Sequence, residues 1–304
     1  MASSDDWLRR IAGIRQWVRR GERAPHKPLL LLYAMGRLQR TGSTEVAYVE
    51  AEPALDELLR DFGPPGRKTS PAYPFHHLQS DGLWAVASPG GSDSDPGANP
   101  GRLRRAGAIG RLSADFETAL LTDPRLLVLA ARLLLDANFP ESLHADICSL
   151  VGLDLEAVEV QAVRERAASL RRRDPHFRDA VLVAYEYCCA MCGYDGRLGT
   201  EAVGLDAAHV RWWAFEGPDT VDNALCLCSF HHKLFDRGAV GIGDDHTVDV
   251  SARFVGRGRA AEVFVLDLLG KPLHEPQRGQ ALPALDHVQW HRGQVFSGPP
   301  RVPI

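Results

Sequence analysis

Five of the six cysteines fall between Cys188 and Cys228, and four positions there form two half-sites of matched spacing, Cys189 with Cys192 and Cys228 with His231. Two residues separate the members of each pair, so one tight turn can offer two ligands to a tetrahedral ion. No other feature constrains the fold as strongly, because four ligands on one ion force two distant segments to meet. The pattern predicts a structural zinc held by Cys189, Cys192, Cys228 and His231. Buried free cysteines are the competing reading, and the matched spacings around a histidine-rich segment weigh against it. A disulfide framework would spread its cysteines through the chain instead of clustering them. Cys188 has the wrong spacing to pair as neatly with Cys192, and Cys226, alternating with Cys228 along LCLC, is expected on the opposite side of a strand. Cys148, alone in SLHADICSLVG, reads as a small buried residue.

At 304 residues the chain is long enough for two domains. Its 45% hydrophobic and 24% charged content is that of an ordinary globular protein. No apolar run approaches a membrane span, and MASSDDWLRR lacks the hydrophobic stretch of a secretory signal, so the expected setting is the cytoplasm with no membrane partner. A net charge of -4 excludes a uniformly basic coat, and any nucleic-acid contact has to come from local patches.

The first part of the chain reads as mainly helical. In DDWLRRIAGIRQWVRR, Trp7, Ile11, Ile14 and Val18 recur at helical spacing. PHKPLLLLYAMGRLQR begins a second helix with Pro28 in its first turn, and LDELLRDFG, SADFETALLTD and DPRLLVLAARLLLDANF continue the pattern. GPPGRKTSPAYPFHHLQSDGLWAVASPGG carries the punctuation of turns, with LWAVA as a strand, and SDSDPGANPGRLRRAGA reads as a mobile loop bearing Arg102, Arg104 and Arg105. A Glu- and Arg-rich helix, LEAVEVQAVRERAASLRRR, is interrupted at Asp174-Pro175, which places a boundary near residue 170. The predicted organisation is α+β, with a mainly helical recognition domain over 1–168 and a second domain over 169–304 that holds the metal knuckle.

Between the half-sites lie His209, in AAHV, and Asn223, in DNALCLC, and the second half-site runs directly into His232. A lone histidine is more often a satisfied core residue than a catalyst, but the knuckle fixes the separation of these three. Here the chain resembles the HNH nucleases, in particular the branch with an AAH first motif and a CxxHHxLFDxG ending, which stands as Cys228 to Gly238. GKPL, Pro276 and WHRGQVF near Trp290 extend the likeness through the second domain. The resemblance implies a ββα-metal fold in which a two-stranded hairpin and a helix enclose one divalent ion, Mg²⁺ or Mn²⁺. It implies His209 as general base, Asn223 as the middle Asn and His232 as a metal ligand. Those residue types suit phosphodiester hydrolysis: a neutral imidazole can take a proton from water near pH 7, and a divalent ion can draw charge from the phosphate. The chain departs from the family at Ala208, where many members carry a metal-binding Asp or His. Asp206, three residues before His209, is the nearest carboxylate, with a solvent-exposed turn residue as the equal alternative.

Ahead of this module, HKPLLLLYA, YPFHHLQSDGLW and NFPESLH resemble the sulfur-binding domain of phosphorothioate-dependent McrA-like restriction enzymes, from Trp7 to about Arg166. The resemblance implies a shallow apolar pocket with cationic neighbours for the sulfur that replaces a non-bridging phosphate oxygen. Sulfur is larger and more weakly hydrated than oxygen, so a patch of ring and methylene carbons desolvates it at less cost. Phe139 and Pro140 are the expected patch, His76 and His77 its frame, and Arg166 or Arg164 its counter-charge, while Lys27, Arg102, Arg104 and Arg105 are candidate DNA contacts. Phe139 stands where the family has Tyr.

The combined expectation is a type IV-like restriction endonuclease acting on double-stranded DNA with backbone phosphorothioate. A methylated-base-dependent HNH nuclease and a zinc-stabilised DNA-binding regulator with a vestigial nuclease site are the alternatives. A double-strand cut takes two hydrolyses, which is compatible with a homodimer.

Overall fold

A computed structural model describes residues 3–15, 24–65, 70–89, 96–155, 174 and 176–302. The chain divides into two compact units, Met1–Gly63 with Arg67–Arg171, and Pro64–Gly66 with Arg172–Ile304. The architecture is mixed, with helices and small sheets, as the α+β expectation has it. No helix among the described residues is long and apolar enough to cross a membrane.

In the first unit, α1 (Ser4–Ala12) starts from a capping box in which Ser3 and Asp6 satisfy each other's backbone donors. It stops earlier than its periodicity predicts, because Gly13 takes the C-cap position. Val18 and the arginines beyond it lie outside the described residues. α2 (His26–Thr41) is the core of the unit: Leu29, Leu30, Leu31, Leu32 and Met35 are fully buried, and each such side chain contributes about 1.5–3 kcal/mol on leaving water. Gly36 gives α2 close access to α8 (Glu141–Val151), since a Cβ there would collide with the carbonyl of Val151.

β1 (Val46–Ala47) leads into α3 (Tyr48–Phe62). The stretch expected to be turns then forms a short helix, α4 (Ala72–His77), before β2 (Trp84–Ala87). Its punctuation is misleading because Pro74 sits in the first turn, where no intrahelical N–H is needed, and Ala72 and Phe75 are buried. The expected mobile loop is likewise ordered where it carries the arginines: Asn99 caps α5 (Pro100–Arg105) by accepting from the Arg102 N–H at 3.0 Å, and Pro100 takes the first helical position. β3 (Ile109–Leu112) is the central strand of an antiparallel sheet in the order β1-β3-β2, pairing Val46 with Gly110 and Trp84 with Leu112. α6 (Ala114–Thr122) and α7 (Pro124–Asp136) follow as predicted. Cys148, on α8, is half-buried, and burial pushes its thiol up to about 11.

In the second unit, α9 (Phe177–Ala184) precedes two hairpins, β4 (Arg197–Leu198) with β5 (Glu201–Ala202), and β6 (Leu205–His209) with β7 (Ala224–Cys228). The second hairpin runs into α10 (Ser229–Asp236), then β8 (Val240–Ile242) pairs β9 (Val248–Val250), and α11 (Arg259–Phe264) and α12 (Leu285–Gln294) complete the unit. The core gathers Val181, Leu182, Leu205, Leu225, Leu227 and Phe235 around that hairpin and helix. The β6–β7 register pairs Leu205 with Cys228, Ala207 with Cys226 and His209 with Ala224. Cys226 and Cys228 are therefore two apart on one strand and share a face, contrary to the expectation of opposite faces. Cys226 stays outside the cluster because it lies further back along the strand.

Candidate functional site

The four knuckle residues converge. Gly193, at φ 73°, lets the chain turn back after Cys192 so that the Gly193 N–H donates to the Cys189 carbonyl at 2.8 Å. Cys228 ends β7 and is also the N-cap of α10, which puts His231 in the first helical turn. The ligating atoms of Cys189, Cys192, Cys228 and His231 lie within 4.8 Å of one another. Cys228 Sγ is 3.1 Å and Cys189 Sγ 3.8 Å from His231 Nδ1, and Cys192 Sγ is 4.0 Å from Cys228 Sγ. Tetrahedral zinc bonds set ligand edges of roughly 3.5–3.8 Å, so the donor set and its size fit that ion. Its orientation fits as well: His231 Nε2–H donates to the Phe264 carbonyl at 2.8 Å, which leaves Nδ1 as the ligand atom. Hydrogen bonds from Cys192 and Cys228 hold the Cys189 thiol below its ordinary range, and the same contacts push the Cys192 thiol up, so the cluster's negative charge settles on Cys189.

One residue further along α10, His232 faces the other way. Its Nδ1 lies 3.7 Å from Asp206 Oδ2 and its Nε2 lies 3.2 Å from Asp236 Oδ2. Asp206 is on strand β6 and not in a turn, opposite Leu227, and Asp236 is buried one helical turn after His232. Burial opposes charge on His232, but the Asp236 carboxylate and then Asp206 outweigh it and push its pKa up to about 10. The hydrogen bond from His232 in turn holds the Asp206 carboxyl below its usual range. The pocket therefore attracts positive charge. Ala208, opposite Leu225, is fully buried and packs into the core.

His209 closes β6. Its ring stacks on Phe177 of α9 at a centroid distance of 4.3 Å, and its Nε2 lies 2.8 Å from Asp219 Oδ1. Asn223 is fully buried and spends its amide on the loop between the strands: Oδ1 accepts from the Arg211 N–H at 2.8 Å, and Nδ2 donates to the carbonyls of Arg211 and Pro218 at 3.0 and 2.9 Å. That side chain ties the loop carrying Asp219 to the end of the hairpin. Phe177 and Asp219 carry no motif in the sequence, whereas Asp236, in HHKLFDRG, reads there as a capping residue or one half of a structural ion pair, and the structure sets it against His232. Asp236 had a usable signal, the four-residue spacing from His232 along a helix, whereas Asp219 is placed only by the loop fold.

The residues expected to meet sulfur and DNA are distributed less simply in the first unit. His76 and His77 end α4 with ring centroids 4.9 Å apart, and Tyr73 lies 4.3 Å from His77, extending the aromatic group. Pro140 is half-buried as the N-cap of α8. Phe139, contrary to expectation, points inward at 1% exposure with its ring edge toward Phe62, so the apolar surface of that turn is presented by Pro140. His144 Nε2 sits 3.1 Å from the Phe139 carbonyl and steadies the turn. Lys27 is not a surface cation: it is 8% exposed and its Nζ lies 2.6 Å from Asp81 Oδ2. Arg104 makes two 2.7 Å bonds to Glu52, and Arg102 and Arg105 stand on the same short helix. Arg164 and Arg166 lie outside the described residues.

Two family models match the chain. The family model of the ScoMcrA-like DNA sulfur-binding domain matches residues 4–156, half of the chain, and that of the HNH endonucleases matches residues 189–243. Similar solved structures include the sulfur binding domain of SprMcrA complexed with phosphorothioated DNA, at 26% identity over 50% of this chain and 95% of that one, with a TM-score of 0.43. The corresponding ScoMcrA complex is 23% identical over 50% of this chain and 96% of that one, with a TM-score of 0.41. The structure of the Type IV phosphorothioation-dependent restriction endonuclease ScoMcrA is 22% identical over 51% of this chain and 35% of that one, with a TM-score of 0.38. No curated protein matches the chain. With half its length matched by one family model and its hairpin, knuckle and helix by another, the chain belongs to the ScoMcrA-like DNA sulfur-binding domain family and carries an HNH endonuclease domain behind it.

Proposed function

We propose that this chain is a restriction endonuclease that recognises backbone phosphorothioate in double-stranded DNA through residues 1–168 and hydrolyses nearby phosphodiesters through residues 169–304. The observation that carries the reading is the joining, in one chain, of a sulfur-binding family match to an HNH hairpin and helix. It acts in the bacterial cytoplasm, and a double-strand cut takes two hydrolyses, which two copies of the chain deliver.

In the second unit Cys189, Cys192, Cys228 and His231 hold structural zinc, and Asp206 with His232 hold a catalytic divalent ion, Mg²⁺ or Mn²⁺, with Asp236 orienting the His232 ring. The chemistry supplied there is charge withdrawal from the scissile phosphate and stabilisation of the leaving 3′ oxygen. His209 takes the proton of the attacking water, and Asn223 keeps the adjoining loop in place beside it. In the first unit, the ring carbons of Pro140 and the edges of His76 and His77 favour a weakly hydrated sulfur over a strongly hydrated oxygen.

The test is cleavage of matched plasmids in Mn²⁺ or Mg²⁺. Linearisation of the phosphorothioate plasmid alone is expected; equal cutting of the unmodified plasmid, or cutting that follows base methylation, would remove the sulfur reading. A sharper probe is Pro140→Asp. Aspartate is a good N-cap, so α8 should survive it, but its charge faces the phosphate backbone. The expected result is loss of at least tenfold in preference for modified DNA in a binding assay, with zinc content unchanged. An unaltered preference would move sulfur recognition away from this turn.

A further inference from the structure

The contact between His209 and Asp219 carries more than loop geometry. We propose that Asp219 is the positioning residue of the catalytic base, holding His209 in the tautomer that receives the proton and stabilising the imidazolium that results. This rests on the reading of His209 as the base.

The argument starts from what a carboxylate can do. Asp219 Oδ1, 2.8 Å from His209 Nε2, can only accept, so the hydrogen of neutral His209 is on Nε2 and the lone pair is on Nδ1. Nδ1 is therefore the atom that takes the water proton. When it does, both ring nitrogens carry hydrogen, the water oxygen bonds phosphorus, the bond from phosphorus to the 3′ oxygen breaks, and the proton remains on His209 until it passes to solvent or to that leaving oxygen. Asp219 takes no proton. It stabilises positive charge that develops only as the reaction proceeds, which is the condition for lowering a barrier and not merely tightening binding.

The pair is also built rigidly. His209 and Asp219 side chains are 14% and 15% exposed, so the contact is largely out of solvent. Phe177 covers one face of the ring. Asp219's second oxygen, Oδ2, accepts from the Asp174 backbone N–H at 2.8 Å. The Asn223 amide bonds the carbonyl of Pro218, the residue just before it. Position, ring plane and carboxylate rotation are thus each set by a different contact.

The fixed rotation gives a test that a merely structural role would fail. In Asp219→Asn the oxygen stays on the Asp174 N–H, so the amide NH₂ is presented to His209 Nε2. That nitrogen must then be the acceptor, its hydrogen moves to Nδ1, and the base has the wrong tautomer. Asp219→Ala removes the stabilisation but imposes no tautomer. For cleavage of phosphorothioate plasmid by the full chain in Mn²⁺, the expected order is wild type, then Asp219→Glu, then Asp219→Ala, with Asp219→Asn slowest and on the order of 10²-fold or more down in kcat. KM, zinc content and binding of modified DNA should be unchanged. If Asp219 serves only to hold the loop, the isosteric Asn will be the mildest change and Ala the worst, and the proposal is overturned. An additional loss on combining Asp219→Asn with His209→Ala would also overturn it, because a residue acting through His209 has nothing left to act on. The underlying reading fails separately: if His209→Ala alone keeps wild-type cleavage, His209 is not the base, whatever the Asp219 series shows.

Discussion

Replacing Cys189 by serine is expected to unfold the second unit, not simply to lower its activity. Cys189 is fully buried, and its Sγ is one corner of the four-residue cluster. The strands around it are short: β4 and β5 have two residues each and β6 and β7 five. Hairpins of that length are marginal in water by themselves, and the proposed zinc would supply much of what fixes their ends. Structural zinc contributes roughly 10–16 kcal/mol of apparent binding energy in comparable small modules, against a total stability of about 5–15 kcal/mol for a typical domain. Losing a thiolate and leaving three ligands in a polar, buried cluster therefore exceeds what the unit can spare. Zinc content by mass spectrometry should fall from one per chain to near zero, and thermal unfolding should lose the transition of the second unit. A folded, metal-free Cys189→Ser protein would show that the apolar core suffices.

The second large effect is at His209. His209→Ala should abolish most cleavage, by about 10²–10⁴-fold, the contribution of a positioned general base, while binding of modified DNA stays within twofold. The ring is stacked on Phe177 at the end of β6, and its removal leaves a small gap at a half-buried position instead of breaking a strand pair. Gel shift and single-turnover cleavage on one substrate separate the outcomes. Loss of both would mark the histidine as structural.

The spacing of Cys189, Cys192, Cys228 and His231 was enough to bring these residues together on paper, because metal ligands constrain each other across any length of intervening chain. His209 and Asn223 lie between the two half-sites and His232 directly follows the second, so their order was legible, while the partners each takes in the fold were not. Asp219 escaped because nothing in GPDTVDN has a period or motif; its place follows from Asn223 folding the loop back on itself. Lys27 and Phe139 show the opposite failure. Both stood in segments resembling a recognition domain, yet whether such side chains face solvent is decided by tertiary partners, here Asp81 and Phe62. The helices at Ala72–His77 and Pro100–Arg105 were obscured by prolines that the first turn of a helix accepts.

His231 and His232 are consecutive residues of one helix, and consecutive helical side chains point about 100° apart. One belongs to the Cys3His cluster and the other to the Asp206 and Asp236 carboxylates. The Cys/His cluster and the proposed catalytic centre are thus indexed to each other by a single peptide step, with no hinge or linker between them. A change of loop length on either side of this helix leaves that spacing untouched, whereas an insertion between the two histidines would pull one set of contacts away from the other.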